Sequence, residues 1–226
     1  MNFPDSYAFD QAAETAWVTQ HLSSLITVAG RLDGLGAADL AADAPAAQRL
    51  ARAYQGMTGR TTPLTAVDVL AVNQLISTGT MGPGELRPTA LPGAAGELPL
   101  PRRDQTLRQL TAILTAPRSA TERAMDLALY LSRWQPFADG NQRTAWVAAN
   151  GLMMAAGAGL LLPPLDRLDW YTRQLHQYCR AGRALEIKQW LYRNAIWGTA
   201  DYRVAAQPRR SYQNHYSPLT TPFTKN

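Results

Sequence analysis

Apolar residues recur at three- and four-residue intervals along nearly the whole chain, a spacing that one face of a helix buries and a strand cannot. Val18, Leu22, Leu25, Ile26 and Ala29 form one stripe. Ala47, Leu50, Ala51 and Tyr54 form a second, opening after Asp43 and Pro45 and closing at Gly59. Thr62 and Pro63 predict the cap and first residue of a third helix carrying Val67, Leu70 and Leu75. Leu107, Leu110 and Leu114 predict a fourth. Ser119 followed by Glu122 predicts a capping-box start for a fifth, with Ala120, Ala124, Leu127, Ala128 and Leu131 turned inward. A sixth runs from Arg143 to about Ala156, a seventh capped by Asp166 carries Leu168, Tyr171, Leu175 and Tyr178, and an eighth spans Ala184 to Trp197. The period fails in residues 79–103, where glycines and prolines surround two short extended pieces, ELRPTAL and GELPL. That stretch reads as a β-hairpin flap on an all-α bundle of about eight helices. No solenoid-type repeat is present.

A chain of 226 residues with 46% hydrophobic and 17% charged residues has enough apolar surface for a real core and is most simply one domain with a small appendage. The expected division is N-terminal helices over residues 1–60, a core over 61–198 and a tail over 199–226. One cysteine, Cys179, excludes an internal disulfide framework. No basic-then-apolar leader stands at the N-terminus and no apolar run approaches the roughly 18 residues that span a bilayer, so the expectation is a cytoplasmic protein with no membrane partner. The run from Gly151, GLMMAAGAGLLLPP, is a buried helix end and a turn. The net charge is +5, of which the tail from Ala200 holds +3, through Arg203, Arg209, Arg210 and Lys225 against Asp201. The rest is near neutral. A basic tail lacking either periodicity is expected to be solvated and flexible, and nucleic acid is not the expected partner.

Between the fifth and sixth helices stands WQPFADGNQRTAW, residues 134–146. Gly140 and Asn141 tolerate positive φ, so they can turn successive N–H groups toward one point, and the following helix adds its positive dipole end. The product is an anion hole, with Arg143 as a fixed cation for phosphate. Asp139 would repel a bare phosphate, and a Mg²⁺ ion between the two removes the conflict. The loop therefore reads as a site for a metal-bound polyphosphate, most simply a nucleotide.

This stretch resembles the signature of the Fic (Fido) family, H-P-F-x-D/E-G-N-G-R-x-x-R, at Pro136, Phe137, Asp139, Gly140, Asn141 and Arg143. The similarity extends from about Leu64 through the G-x-x-R stretch Gly82 to Arg87 and on to the helix after the loop. The resemblance implies an all-α enzyme that transfers AMP from ATP to a hydroxyl of a target protein. Asp139 would then ligate Mg²⁺, Gly140, Asn141 and the residue at 142 would form the phosphate nest, Arg143 would hold phosphate oxygens, and Phe137 would anchor the loop. The flap around Leu86, Arg87, Thr89, Ala90 and Leu91 would pair with a target segment as an added strand.

Three positions depart from the signature. Gln135 stands where the family has its general-base His, and an amide has no basic site near neutral pH, so about 10²–10⁴-fold is lost from that step alone. Gln142 replaces the last glycine of the nest and would crowd it; Doc-type relatives carry Lys there and reverse the ATP. Trp146 replaces the second Arg, which in relatives grips the outer phosphate. The first helix resembles the family's inhibitory pattern S/T-x-x-x-E-G/N at Ser23, Ser24 and Thr27, within residues 23–28, but Thr27 and Val28 replace the Glu and the Gly or Asn. Both ends of that salt bridge are absent, which implies a re-lined site with Thr27 facing Trp146. His21, His176 and His215 show no metal-ligand spacing; His21 could supply a base from the first helix, or be an ordinary surface histidine. Trp134 and Trp146 bracket the loop and could stack on a base.

The expectation is a degenerate Fic-like site that binds a Mg-nucleotide or related phosphate ligand without His-dependent AMP transfer. Two alternatives stay open: a nucleotidyl- or phosphotransferase of non-standard chemistry, and a non-catalytic interaction or regulatory module.

Overall fold

The structure, a computed structural model, describes residues 2–77 and 84–204. The first flap residues, 79–83, and the tail beyond Val204 lie outside the described residues. Eight α-helices are present among the described residues: α1 Gln11–Leu32, α2 Pro45–Gln55, α3 Ala66–Ile76, α4 Arg103–Leu114, α5 Ala120–Trp134, α6 Asn141–Ala155, α7 Leu168–Ala181 and α8 Leu185–Asn194. Two small antiparallel sheets accompany them. Strands β1 Leu91–Gly93 and β2 Gly96–Leu98 pair Leu91 with Leu98 in the expected flap, turning through Ala94 and Ala95. Strands β3 Leu160–Leu161 and β4 Ile196–Trp197 pair Leu160 with Trp197.

The fifth and sixth helices are the centre of the molecule. Along α6, every residue from Arg143 to Met154 is buried, so the helix is wrapped on all sides rather than along one stripe. Helices α1, α2 and α3 cover it on one side and α5 on the other, while α4, α7 and α8 pack on α5. Trp146, 1% exposed, lies edge-to-face on Tyr171 with ring centroids 5.5 Å apart. Truncating such a fully buried Trp to Ala costs about 3–5 kcal/mol. The loop between α5 and α6 is thus suspended from the most extensively packed pair of helices.

Helix starts follow side-chain chemistry. Asp10 caps α1 by accepting from the Ala13 N–H at 2.9 Å. Ser119 caps α5 by accepting from the Glu122 N–H, and Asp5 of the N-terminal segment accepts from the N–H groups of Ala120 and Thr121. Glu122 does not complete the box, because its carboxylate pairs with Lys188 of α8.

Other expectations need correction. The third helix begins at Ala66, not Pro63: Thr65 and Asp68 form a reciprocal capping box, and Arg60 grips Asp68 with both terminal nitrogens. Its inward residues are consequently Val69, Leu70, Val72, Asn73 and Ile76, while Val67 and Leu75 face solvent. The sixth helix starts at Asn141, two residues earlier than expected. Asp166 lies in a 3-10 turn, Leu165–Arg167, and the residue before α7 is Arg167. The eighth helix stops at Asn194, because Ile196 and Trp197 pair with the strand after α6, where Asn150 holds both the N–H and C=O of Leu161. Residues 199–204 also belong to the body: Tyr7 bridges Arg203, and the Val204 N–H donates to Ser6 O.

Candidate functional site

The loop after α5 opens with a left-handed residue. Gln135 has φ 43° and ψ 59°, the only non-glycine with positive φ among the described residues. Such a conformation costs about 1–2 kcal/mol and persists only where neighbours enforce it. They do so here through Arg87. This side chain is 4% exposed and donates to Gln135 O at 2.9 Å, to Pro99 O at 2.6 Å and to Thr89 O. Its backbone N–H donates to Pro136 O, and Leu86 forms a β-bridge with Phe137. Arg87 therefore fastens the flap to the loop and is not offered to a target. Leu86 and Leu91 are committed to pairing within the molecule, while Thr89 and Ala90 are exposed. The Gln135 side chain is partly exposed and makes no hydrogen bond among the described residues.

A second clamp closes the loop. Asn141 accepts from the Phe137 N–H and donates to Phe137 O, both at 2.9 Å, with Phe137 fully buried between. The Asn141 amide is thus spent on loop shape rather than on a ligand. Gly140 stands at φ 71° as the N-cap of α6, and a Cβ there would lie 3.2 Å from Ile76 and 3.4 Å from the Arg143 guanidinium. Asn73, 1% exposed, fixes the other side: its Nδ2 donates to Asp139 O and to Thr144 Oγ1, and its Oδ1 accepts from the Gly84 N–H. One amide joins α3, the loop, α6 and the entry to the flap.

The anion-binding end of α6 holds a carboxylate of the chain itself. Asp33, the residue that ends α1, accepts from the Gln142 N–H through Oδ1 at 3.1 Å and from Arg143 Nε through Oδ2. Arg143, 5% exposed, also donates to Asp139 Oδ1 at 2.8 Å and to Ile76 O at 3.3 Å. All three guanidinium nitrogens are engaged. Burial pushes the Asp33 carboxyl above its ordinary range even though Arg143 pulls the other way, and the like charge of Asp139 adds to the push. Asp139 is less committed: its side chain is 39% exposed and among the described residues accepts from Arg143 alone.

Several expected site residues lie elsewhere. Gln142 does not crowd the nest, because its backbone is helical and its Oε1 accepts from Ser132 Oγ of α5 at 2.8 Å. Trp146 is inside the core, 1% exposed. Its ring neighbour is Tyr171, and the Thr27 hydroxyl donates back to Ser23 O at 2.8 Å. Ser23 is exposed and Ser24 buried. His21 is buried 4.0 Å over Trp17 with Nδ1 on Trp17 O, and the run from residue 21 to residue 33 of a helix is about 18 Å long. That places it far along α1 from Asp33, the residue of this helix that reaches the loop.

Sequence reasoning passed over Asp33, Asn73 and Ser132. Two of them left a signal. An acid at a helix C-terminus opposes the dipole, so Asp33 is out of place unless it has a cation; Asn73 is an amide amid the apolar run AVDVLAVNQLI.

On the flap side, Arg87, Pro99, Leu100, Gln105, Tyr130 and Trp134 line a groove of about 260 Å³ beside Pro136, with Trp134 42% exposed. No group of three or more His, Cys, Asp or Glu side chains suited to a metal is found among the described residues, and no helix is long and apolar enough to cross a membrane.

Residues 63–153 match the model of the Fic/DOC family. The matched stretch takes in α3, the flap, α4, α5, the loop and most of α6, and leaves α1 and α2 outside it. No curated protein matches the chain.

Proposed function

We propose, from the premise that the domain at residues 63–153 belongs to the Fic/DOC family, that its motif loop binds a phosphate-bearing ligand, most simply a nucleotide with Mg²⁺, without His-dependent AMP transfer. The observation that carries this reading is the Asp33 carboxylate on the Gln142 N–H and Arg143. A helix N-terminus with an adjacent guanidinium suits phosphate oxygens for the same electrostatic reason. The site already accepts an anion.

Position 135 carries the other half. The backbone that would aim a base is in place, left-handed and fastened by Arg87, yet the side chain is an amide that takes up no proton near neutral pH. Binding survives such a change and proton abstraction does not. For the ion, Asp139 fits: one carboxylate oxygen has no partner among the described residues, and Mg²⁺ is commonly held by one or two carboxylates together with phosphate oxygens. The ion would neutralise charge between Asp139 and the phosphate. Arg143 and the Gln142 N–H would hold the phosphate, with Asn141 and Asn73 keeping the loop in shape.

Calorimetric titration with a panel of nucleoside triphosphates, with and without Mg²⁺, tests the reading in wild type and Asp139→Ala. The expected result is Mg²⁺-dependent binding weakened at least about tenfold in the variant, the scale of one charge-assisted contact. Absence of binding to every nucleotide sinks it. Labelled ATP supplies the chemical arm. AMP transfer by the unmodified protein would overturn the loss of base chemistry and favour an active transferase, whereas Gln135→His restores it if the frame is intact. The reading as a protein-interaction module is favoured by the groove beside exposed Trp134, and gains if no nucleotide binds.

A further inference from the structure

If a phosphate is to bind at the loop, the cations present fall one short. All three guanidinium nitrogens of Arg143 are engaged, and position 146 holds a buried indole. Helix α2 carries the missing group. Arg49 is partly buried, its Nε is fully buried, and none of its nitrogens has a hydrogen bond or ion pair among the described residues. Buried donors without partners are rare in folded chains, and each calls for an explanation. Its charged neighbours are Arg143, Arg52 and Asp139. Burial and the two like charges hold the guanidinium below its usual range, and Asp139 only partly offsets them. Three arginines in this corner, Arg49, Arg52 and Arg143, thus stand against the two carboxylates Asp33 and Asp139. The surplus is one positive charge, and it becomes two when Asp33 leaves.

We infer that Arg49 is a second phosphate-binding cation of the loop site, and that a polyphosphate binds by displacing Asp33 and bridging Arg49 to Arg143 and the Gln142 N–H. The inference rests on the phosphate-site reading above and adds a residue outside the matched family stretch. Asp33 is then the internal stand-in for the ligand. It satisfies Arg143 in the free protein, and its own burial makes it exchangeable for a dianion that can also reach Arg49. Ligands with a chain of phosphates gain from Arg49, and a single phosphate on Arg143 does not.

Inorganic tripolyphosphate is the probe, because it needs neither a base at position 135 nor a nucleobase pocket. Its affinity is measured by calorimetry for wild type, Asp33→Asn, Arg49→Gln, Arg49→Lys and Asp33→Asn/Arg49→Gln, with Arg108→Gln, an exposed arginine paired with Asp104 on α4, as the charge control. Circular dichroism and melting check that each variant folds. Asp33→Asn is expected to bind at least about tenfold tighter and Arg49→Gln at least about tenfold weaker, with Arg49→Lys between wild type and Gln, as for loss of one charge-assisted bond. Arg108→Gln should change little. Equal affinity of Asp33→Asn and Asp33→Asn/Arg49→Gln overturns the role of Arg49, and if nucleotides still bind, the phosphate-site reading survives. Should neither wild type nor Asp33→Asn bind tripolyphosphate or any nucleotide, both fall together.

Discussion

Glu14 gives the sharpest quantitative test of how α1, the helix that delivers Asp33, is docked. It lies in the first turn of α1, is 3% exposed, and its Oε1 has no partner among the described residues. Burial pushes its carboxyl from the ordinary 4.5 up to about 7, with a backbone hydrogen bond from Gly59 pulling the other way. Because the folded value is the higher one, protonation favours the fold. The stabilisation is complete below pH 4.5 and is lost as pH rises through about 7. At 1.36 kcal/mol for each unit between those values, the loss by pH 8 amounts to about 3 kcal/mol. Glu14→Gln removes the titration. The amide brings a packing cost of its own, but that cost does not vary with pH, so the informative quantity is the change in stability difference between about pH 4.5 and about pH 8. Urea unfolding of both proteins across that range should show the variant gaining about 2–3 kcal/mol on wild type toward high pH, equivalent to roughly 5–10 °C in Tm for a chain of this size. A difference that stays flat across the range would refute the desolvated-carboxylate account.

Three further outcomes follow from particular contacts. Arg87→Met removes donors to three carbonyls at a site 4% exposed, and about 3 kcal/mol of local stability should go with them; faster amide exchange across residues 88–99 reports it, with the helices unaffected. Gln142→Gly loses the bond to Ser132 and places a glycine in the first turn of α6, so stability in urea should fall by about 1–2 kcal/mol. Tripolyphosphate affinity in that variant should move by no more than about threefold, under 1 kcal/mol, because the side chain already points away from the nest. Lys188→Met leaves Glu122 and Asp126 without the ammonium that lies 2.9 and 2.8 Å from them, costing about 3–5 kcal/mol in denaturant unfolding, part of which Glu122→Gln in the same chain should return.

The all-α architecture was legible in the sequence because a helix encodes itself locally: stripes at a period of 3.6, caps such as Ser119, and breakers such as the glycines and prolines of the flap are all read within a few residues. The motif loop was legible for the same reason, and Gly140 stands with the positive φ that its residue type permits. Where two local signals competed, as Pro63 against the Thr65–Asp68 box, the reciprocal hydrogen bonds decided, and a periodicity read from the wrong start put Val67 and Leu75 inside instead of out. Contacts across the chain were not legible. The pairing of Trp197 with Leu160, the withdrawal of Gln142 onto Ser132, and the burial of Trp146 against Tyr171 depend on which helices meet. The sequence by itself determined that residues 134–146 could form an anion-binding turn lacking a base. Only the tertiary structure decided what sits in it, because Asp33 lies 110 positions from Arg143 and reaches it solely through the packing of α1 on α6.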